Sequence, residues 1–299
     1  MNLNPLFGRV TRFFCAGDAA FMHYTTHIKS KTGWFEIDFR ELYRYRDLIF
    51  LFFKRNYATR YKQTILGPLW LILNPLITVS LYALVFGKLA GLSTAGIPQI
   101  VFYLCSNALW TFFATSLTQT AGTFTANAAM MGKVYFPRLV MPLSSVLTGL
   151  FDMLIQIVML IIIMIGYAIG GYSFDLGLNL LLAPLIILQA GLLGLGCGII
   201  IASMTTKYRD LAVLVAFGVQ LWMYATPVVY TSALIPEKYL TLYMLNPMTP
   251  MVECWRNAVT GAGTFYAGYW GFSWIVTIVV LFVGIMLFNR VEKTFMDTV

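Results

Sequence analysis

Two histidines, four cysteines and one carboxylate within an apolar run are the groups in this 299-residue chain best suited to chemistry. His23 and His27 stand four residues apart in HYTTH. A helical zinc site of the HExxH kind needs a glutamate after the first histidine, and Tyr24 occupies that place. Two imidazoles alone do not hold a metal, so no metal site is expected. Cys15, Cys105, Cys197 and Cys254 are too far apart for a CxxC pair or a disulfide framework. There is no GxxxxGK[ST] phosphate loop, so no nucleotide site is expected in this chain. Both histidines lie outside the apolar runs, which leaves no Ser/His/Asp set within them. Asp152 is the acidic residue set well inside such a run, and an intramembrane carboxylate is a functional candidate by default. Gln156, one turn on, could hydrogen-bond it, and that pairing is preferred to a proton relay. No catalytic residue is expected.

The elements that carry these groups are dictated by composition. Hydrophobic residues make up 59% of the chain and charged ones 11%, with a mean hydropathy of +0.77. A soluble domain carries about 25% charged residues, so this chain lacks the polar groups to cover a soluble surface. A soluble enzyme, a coiled coil and a disordered protein are excluded. Six runs are long enough to cross a bilayer, which takes about 20 apolar residues. They are about Leu66–Leu89, Ile97–Ala121, Leu139–Ile169, Leu178–Met204, Leu211–Tyr230 and Tyr269–Phe288. The second contains Gln99, Ser106, Asn107 and several threonines, a pattern unsuited to facing lipid all round. Residues 1–60 hold no apolar run of signal-peptide form.

Basic residues fix an orientation. Of the 20 lysines and arginines, 17 fall in the N-terminal tail, the second and fourth loops and the C-terminal tail, against 3 in the alternate segments. The positive-inside rule then puts both termini in the cytoplasm. The +8 net charge is thus orientation charge, with no need of nucleic acid. Residues 35–62 are amphipathic, with LIFLFF between Arg46 and Lys54 too short to span. This stretch is expected as a helix in the cytoplasmic interface. Residues 231–268 contain Pro236, Pro247, Pro250, Gly261 and Gly263 between apolar pieces too short to cross. Two short re-entrant helices satisfy both facts. Glu253 and Arg256 lie i,i+3 on the second, where a local pair steadying that helix is preferred to a substrate role. The expected organisation is all-α: an extension over 1–34, the interface helix over 35–62, and a six-span membrane domain over 63–299.

Three segments at the membrane edges are distinctive: RYKQTILGPLWLILNPL (Arg60–Leu76), GKVYFPRLVMPL (Gly132–Leu143) and KYRDLAVLVAFGVQLWMYATPVVY (Lys207–Tyr230). Together with NPMTPMVECWRNAVTG and FNRVEKTF, in this order, they resemble the membrane subunit of type-2 ABC transporters, in particular the exporters of O-antigen, capsule or teichoic acid chains. The resemblance runs from about Phe35 to the C-terminus. Where many relatives carry an Arg-Asp pair, this chain has Arg55-Asn56. The resemblance implies a half-channel: two copies of this chain, two separate ATPase subunits that carry ATP and magnesium, and a lipid-linked polysaccharide as cargo in the bacterial inner membrane. It further implies that Arg55, Arg60, Lys62, Lys133, Tyr135 and Arg138 couple to the ATPase. By the same analogy the re-entrant helices after Pro227, with Glu253 and Arg256, form an outer gate.

A sugar chain presents C–H faces that pack on aromatic rings and hydroxyls that want hydrogen bonds. A channel for it should be walled by aromatics with scattered polar groups. Tyr82, Tyr103, Asn107, Trp110, Phe113, Gln220, Trp222 and Tyr224 fit, and Tyr103, Asn107 and Trp110 share one helical face. Aromatics at span ends also form interfacial belts, which is the alternative for each of them. The competing functions are an ABC exporter of small hydrophobic molecules, an ion-coupled transporter using Asp152, and an integral-membrane glycosyl- or acyltransferase.

Overall fold

The computed structural model describes residues 39–131, 136–205 and 210–298, and among these every regular element is helical. The 1–34 extension, His23, His27, Lys133, Tyr135, Lys207 and Arg209 lie outside the described residues.

The expected interface helix is described as two pieces, α1 (Phe39–Arg44) and α2 (Arg46–Tyr61), broken at Tyr45. α2 stops at Lys62, whose backbone is extended (ψ 132°), and Gln63 follows in the left-handed region (φ 66°). A side chain in that region costs roughly 1 kcal/mol. The first apolar run then rises as a composite: a 3-10 turn over Gly67–Leu69, α3 (Trp70–Tyr82) and a π-helical stretch over Ala83–Leu89. Pro75 inside α3 has no N–H to give its ladder.

The remaining helices are α4 (Gln99–Ala121), α5 (Thr123–Met131), α6 (Val140–Ile169), α7 (Ala183–Thr205), α8 (Leu211–Tyr224), α9 (Glu237–Met244), α10 (Met248–Thr260) and α11 (Ala267–Thr298). Among the described residues, five apolar helical segments are long enough to cross a membrane: Gly67–Leu89, Gln99–Ala121, Val140–Ile169, Leu178–Thr205 and Ala267–Asn289. Each lies within a few residues of its expected bounds. The expected span to Tyr230 differs. Its helix, α8, ends at Tyr224 after 14 residues, about 21 Å at 1.5 Å per residue. The residue before a proline is disfavoured in the helical region, and Thr226-Pro227 follows at once. Pairing in the next loop also competes with the helix: Asn246 Nδ2 donates to Ala225 O (3.0 Å) and Thr226 Oγ1 (3.1 Å).

α4 is the centre of the bundle. Over its apolar stretch 78% is buried, against 6% in Gly67–Leu89, so the polar-sided run is the one least exposed to lipid. α7 lies so close to it that glycine is required at the contact. A Cβ on Gly194 would stand 3.0 Å from Phe113 O, and one on Gly198 would stand 2.8 Å from Leu117 O and 2.5 Å from Thr120 Cβ. On the opposite face of α7, Gly196 meets the α11 backbone at Leu281, where a Cβ would lie 3.0 Å from Cα. α7 is thus pressed between two backbones. At the α2 end a second apolar cluster joins Phe52, Phe124, Phe136, Val140, Ile199 and Phe288. The Phe52 and Phe136 rings are 5.6 Å apart and those of Phe124 and Phe288 stack at 5.2 Å.

A backbone cannot yield as a flexible side chain can, so even a methyl group at Gly198 should part α4 from α7. Gly198→Ala is expected to lose most of its monodisperse peak in fluorescence-detected size-exclusion chromatography. Gly166→Ala, with nothing within 4 Å of its Cβ, is expected to elute as the parent chain does.

Candidate functional site

The sequence offers α10 as a short apolar helix that carries two charges. The fold buries both: the side chains of Arg256 and Glu253 are 1% and 3% exposed, with Arg256 Nη2 3.4 Å from Glu253 Oε1. The pair is more than local. Glu253 Oε1 also accepts the Ser232 N–H at 2.8 Å, and Arg256 Nη2 donates to Pro227 O at 2.8 Å. The guanidinium lies 4.2 Å from the centroid of the Phe102 ring on α4, a cation–π arrangement that compensates lost hydration. Burial disfavours the Arg256 charge, while the Glu253 carboxylate opposes that shift. Pro227, Glu253 and Arg256, grouped from sequence as gate residues, are therefore in direct contact. They pin the loop that follows α8 to α10 and α4. Trp255 adds a further tie, its Nε1 donating to Cys105 O at 2.9 Å.

Beside this clamp runs an open groove of ≈ 580 Å³, between the end of α8 and α9. Trp222, Tyr239, Tyr243 and Asn246 are among its lining residues. Asn246 uses its whole amide: Oδ1 accepts Trp222 Nε1 (2.9 Å) and the Met248 N–H (3.2 Å), while Nδ2 makes the two bonds that close the preceding loop. Trp222 is thereby fixed in orientation. Tyr243 donates to Tyr230, which donates to the Tyr224 carbonyl, each at 2.9 Å. Burial, with the Tyr230 bond behind it, pushes the Tyr243 phenol up, so it stays protonated. Tyr239, Tyr243 and Asn246 were not singled out from sequence. The one signal for them is Asn246-Pro247, a turn dipeptide between two apolar pieces.

The eight residues read as a channel wall separate into layers. Tyr103, Asn107, Trp110 and Phe113 are buried within the chain, Tyr82 and Trp222 are half-buried, and Gln220 and Tyr224 are exposed. The rings form an edge-on series: Phe113 to Trp222 at 5.1 Å, Trp110 to Trp222 at 6.4 Å and Tyr82 to Tyr103 at 6.2 Å. Asn107 leaves the series and faces α6, where its Nδ2 is 3.5 Å from Gln156 Oε1.

Gln156 therefore does not bond Asp152, contrary to the expectation from their spacing. Asp152 Oδ2 instead accepts from Arg60 Nη1 of α2. A charged donor makes the stronger hydrogen bond to a carboxylate, and α2 packs on the Asp152 side of α6. The Phe53 and Tyr57 rings meet Phe151 edge-on at 5.8 and 5.3 Å. Burial opposes the Arg60 charge, but Asp152 and Tyr61 outweigh it and hold its pKa above the ordinary value. Of the other predicted coupling residues, Arg55 Nη2 donates to Asn127 Oδ1 on α5 at 2.9 Å and to Asn56 Oδ1 at 3.2 Å. Lys62 is exposed and Arg138 half-buried in the turn before α6.

Helices long and apolar enough to cross a membrane, with buried charges that clamp the loops between them, define a multi-span helical membrane protein. The chain belongs to the ABC-2 type transporter family, whose membrane-domain model matches residues 47–260. It is 30% identical over 253 residues to the O-antigen export system permease protein RfbA of Klebsiella pneumoniae, covering 84% of this chain and 94% of that protein. It is 30% identical to RfbA of Myxococcus xanthus over 73% of this chain and 82% of that one. The polysialic acid transport protein KpsM of Escherichia coli is 24% identical over 82% and 94% of the two chains.

Breaking a buried pair strands the surviving charge, at about 3–5 kcal/mol, whereas removing both charges costs far less. Arg256→Met should therefore lower the melting temperature in detergent sharply. Adding Glu253→Gln should recover most of the loss, because the neutral side-chain amide can still accept the Ser232 N–H.

Proposed function

We propose that this chain is the transmembrane subunit of an ATP-driven exporter of lipid-linked polysaccharide, working as a pair with two separate ATPase subunits in the bacterial inner membrane. The observation that carries the proposal is its likeness to polysaccharide export permeases across 94% of their length. In this reading α8 and the loop after it complete a sixth span, and both termini face the cytoplasm. α1 and α2 lie in the cytoplasmic interface, and α9 and α10 form the outer gate. Gln220 and Tyr224 meet the sugar chain. Trp110 and Phe113 stand behind them as a stiff second layer that holds Trp222.

The chain brings no phosphate loop, and the energy for export comes from ATP and magnesium on the partner subunit. The pairing of Asp152 with Arg60 favours this over ion coupling, since a carboxylate engaged by a guanidinium is poorly placed to exchange a proton or sodium ion. The cytoplasmic turn around Lys133 and Arg138 is where the ATPase docks.

In cells that make a lipid-linked O-polysaccharide but lack its exporter, surface polysaccharide should appear when this chain is expressed with its ATPase and not when it is expressed alone. Polysaccharide transport by the purified chain in liposomes driven only by a proton gradient would overturn the proposal. Lys133→Glu with Arg138→Glu should reduce ATPase recovered by affinity purification of the permease; undiminished recovery removes that turn from the docking surface.

A further inference from the structure

Two routes lead from α2 to the membrane-spanning helices. The covalent route runs through Lys62–Leu66, five residues that are all exposed, with a left-handed backbone at Gln63. Such a segment, with little packed against it, bends readily and transmits force poorly. The other route is lateral. Phe53 and Tyr57 pack on Phe151, and at the last turn of α2 Arg60 pairs with Asp152. Earlier on the same helix Arg55 is bonded to Asn127 of α5, the helix that leads toward the turn before α6. α2 is thus tied to α5 at its middle and to α6 at its end, just ahead of the bendable joint.

The charges at this second tie depend on each other. The Asp152 side chain is 13% exposed, and its Oδ1 is buried with no hydrogen-bond partner. Compensation for this carboxylate therefore comes from Arg60. Gln156, the neutral amide one turn along α6, cannot stand in for it, since it faces Asn107. Loss of Arg60 would leave a largely buried carboxylate without its counter-charge.

We propose that Arg60 and Asp152 are a positioning pair for transport: they lock α2 to α6, so that a push delivered on the ATPase side of α2 moves α6 and not the joint at Lys62–Leu66. Arg60 then acts through Asp152, and its contribution to coupling does not require it to touch the ATPase. This rests on the proposed ATP-driven export, because the pair has work to transmit only if a partner supplies it.

The test uses the permease–ATPase complex in liposomes, measuring lipid-linked polysaccharide translocated and ATP hydrolysed in the same sample. Arg60→Gln and Asp152→Asn should each lower polysaccharide moved per ATP by roughly threefold to thirtyfold, the range of a typical coupling contact, with ATPase still bound. The exchanged pair Arg60→Asp/Asp152→Arg should regain most of that ratio, which a residue serving only stability or ATPase contact would not do. Single variants with an unchanged ratio, or an exchange no better than the singles, overturn the proposal. Should the singles fail to fold, Tyr57→Cys/Phe151→Cys, in a chain with its native cysteines replaced, decides it. Oxidative cross-linking of α2 to α6 should leave export intact, because the two already move together. Export that stops on cross-linking and returns on reduction overturns it. Transport without any ATPase would instead fail the functional reading and leave the pair with nothing to couple.

Discussion

The close approach of α4 and α7 is the constraint on which the other contacts depend. With glycine at 194 and 198 the backbones meet almost directly, and α4 can be surrounded by α6, α7 and α10 at once. Lipid offers no hydrophobic drive for helices to associate, so small residues and close dispersion contacts must supply it. Once α4 is enclosed, its polar groups meet protein in place of lipid. Asn107 finds Gln156, and the Cys105 carbonyl finds Trp255. Because Gly196 serves α11 on the opposite face, α7 acts as a spacer of nearly pure backbone thickness, and shifts of α4 and α11 cannot be absorbed there.

A second organising feature is how charge is used where it is scarce. Within the described helical body, Glu253, Arg256, Arg60 and Asp152 all link elements distant in sequence or a helix to a loop. Glu253 and Arg256 are buried outright, and Arg60 reaches from an exposed helix face to a largely buried carboxylate. In a low-dielectric setting such pairs add little net stability but fix one geometry. One pair holds the loop beyond α8, and the other joins Arg55 in holding α2.

The sequence announced the bundle more clearly than the contacts within it. Hydropathy located the five long spans to within a few residues, because twenty apolar residues in a row have few other fates. The buried character of α4 was legible in Gln99, Ser106 and Asn107 for the same reason in reverse. Helical spacing placed Asp152 beside Gln156 but was blind to α2, since periodicity reports only neighbours on one helix. The same limit hid Asn246, whose four hydrogen bonds join segments that periodicity treats separately. It also made Glu253 and Arg256 look like a local pair, when the partners that matter, Ser232, Pro227 and Phe102, come from other elements. Hydropathy alone carries the fifth run on to Tyr230, past the end of α8 at Tyr224, because it does not register a ladder broken at Thr226-Pro227.

The bond from Trp255 to the Cys105 carbonyl joins residues 150 positions apart, and Arg256 rests on Phe102 across a similar gap. During synthesis α4 therefore enters the bilayer long before its principal partner on that side exists. The Cys105 carbonyl and the Phe102 ring must wait for these partners until most of the chain has left the ribosome. Contacts of such long range make for slow maturation. The nascent protein thus passes through a period in which its most polar membrane helix is inserted but incomplete, and it is then that a membrane chaperone or a quality-control protease would have something to recognise.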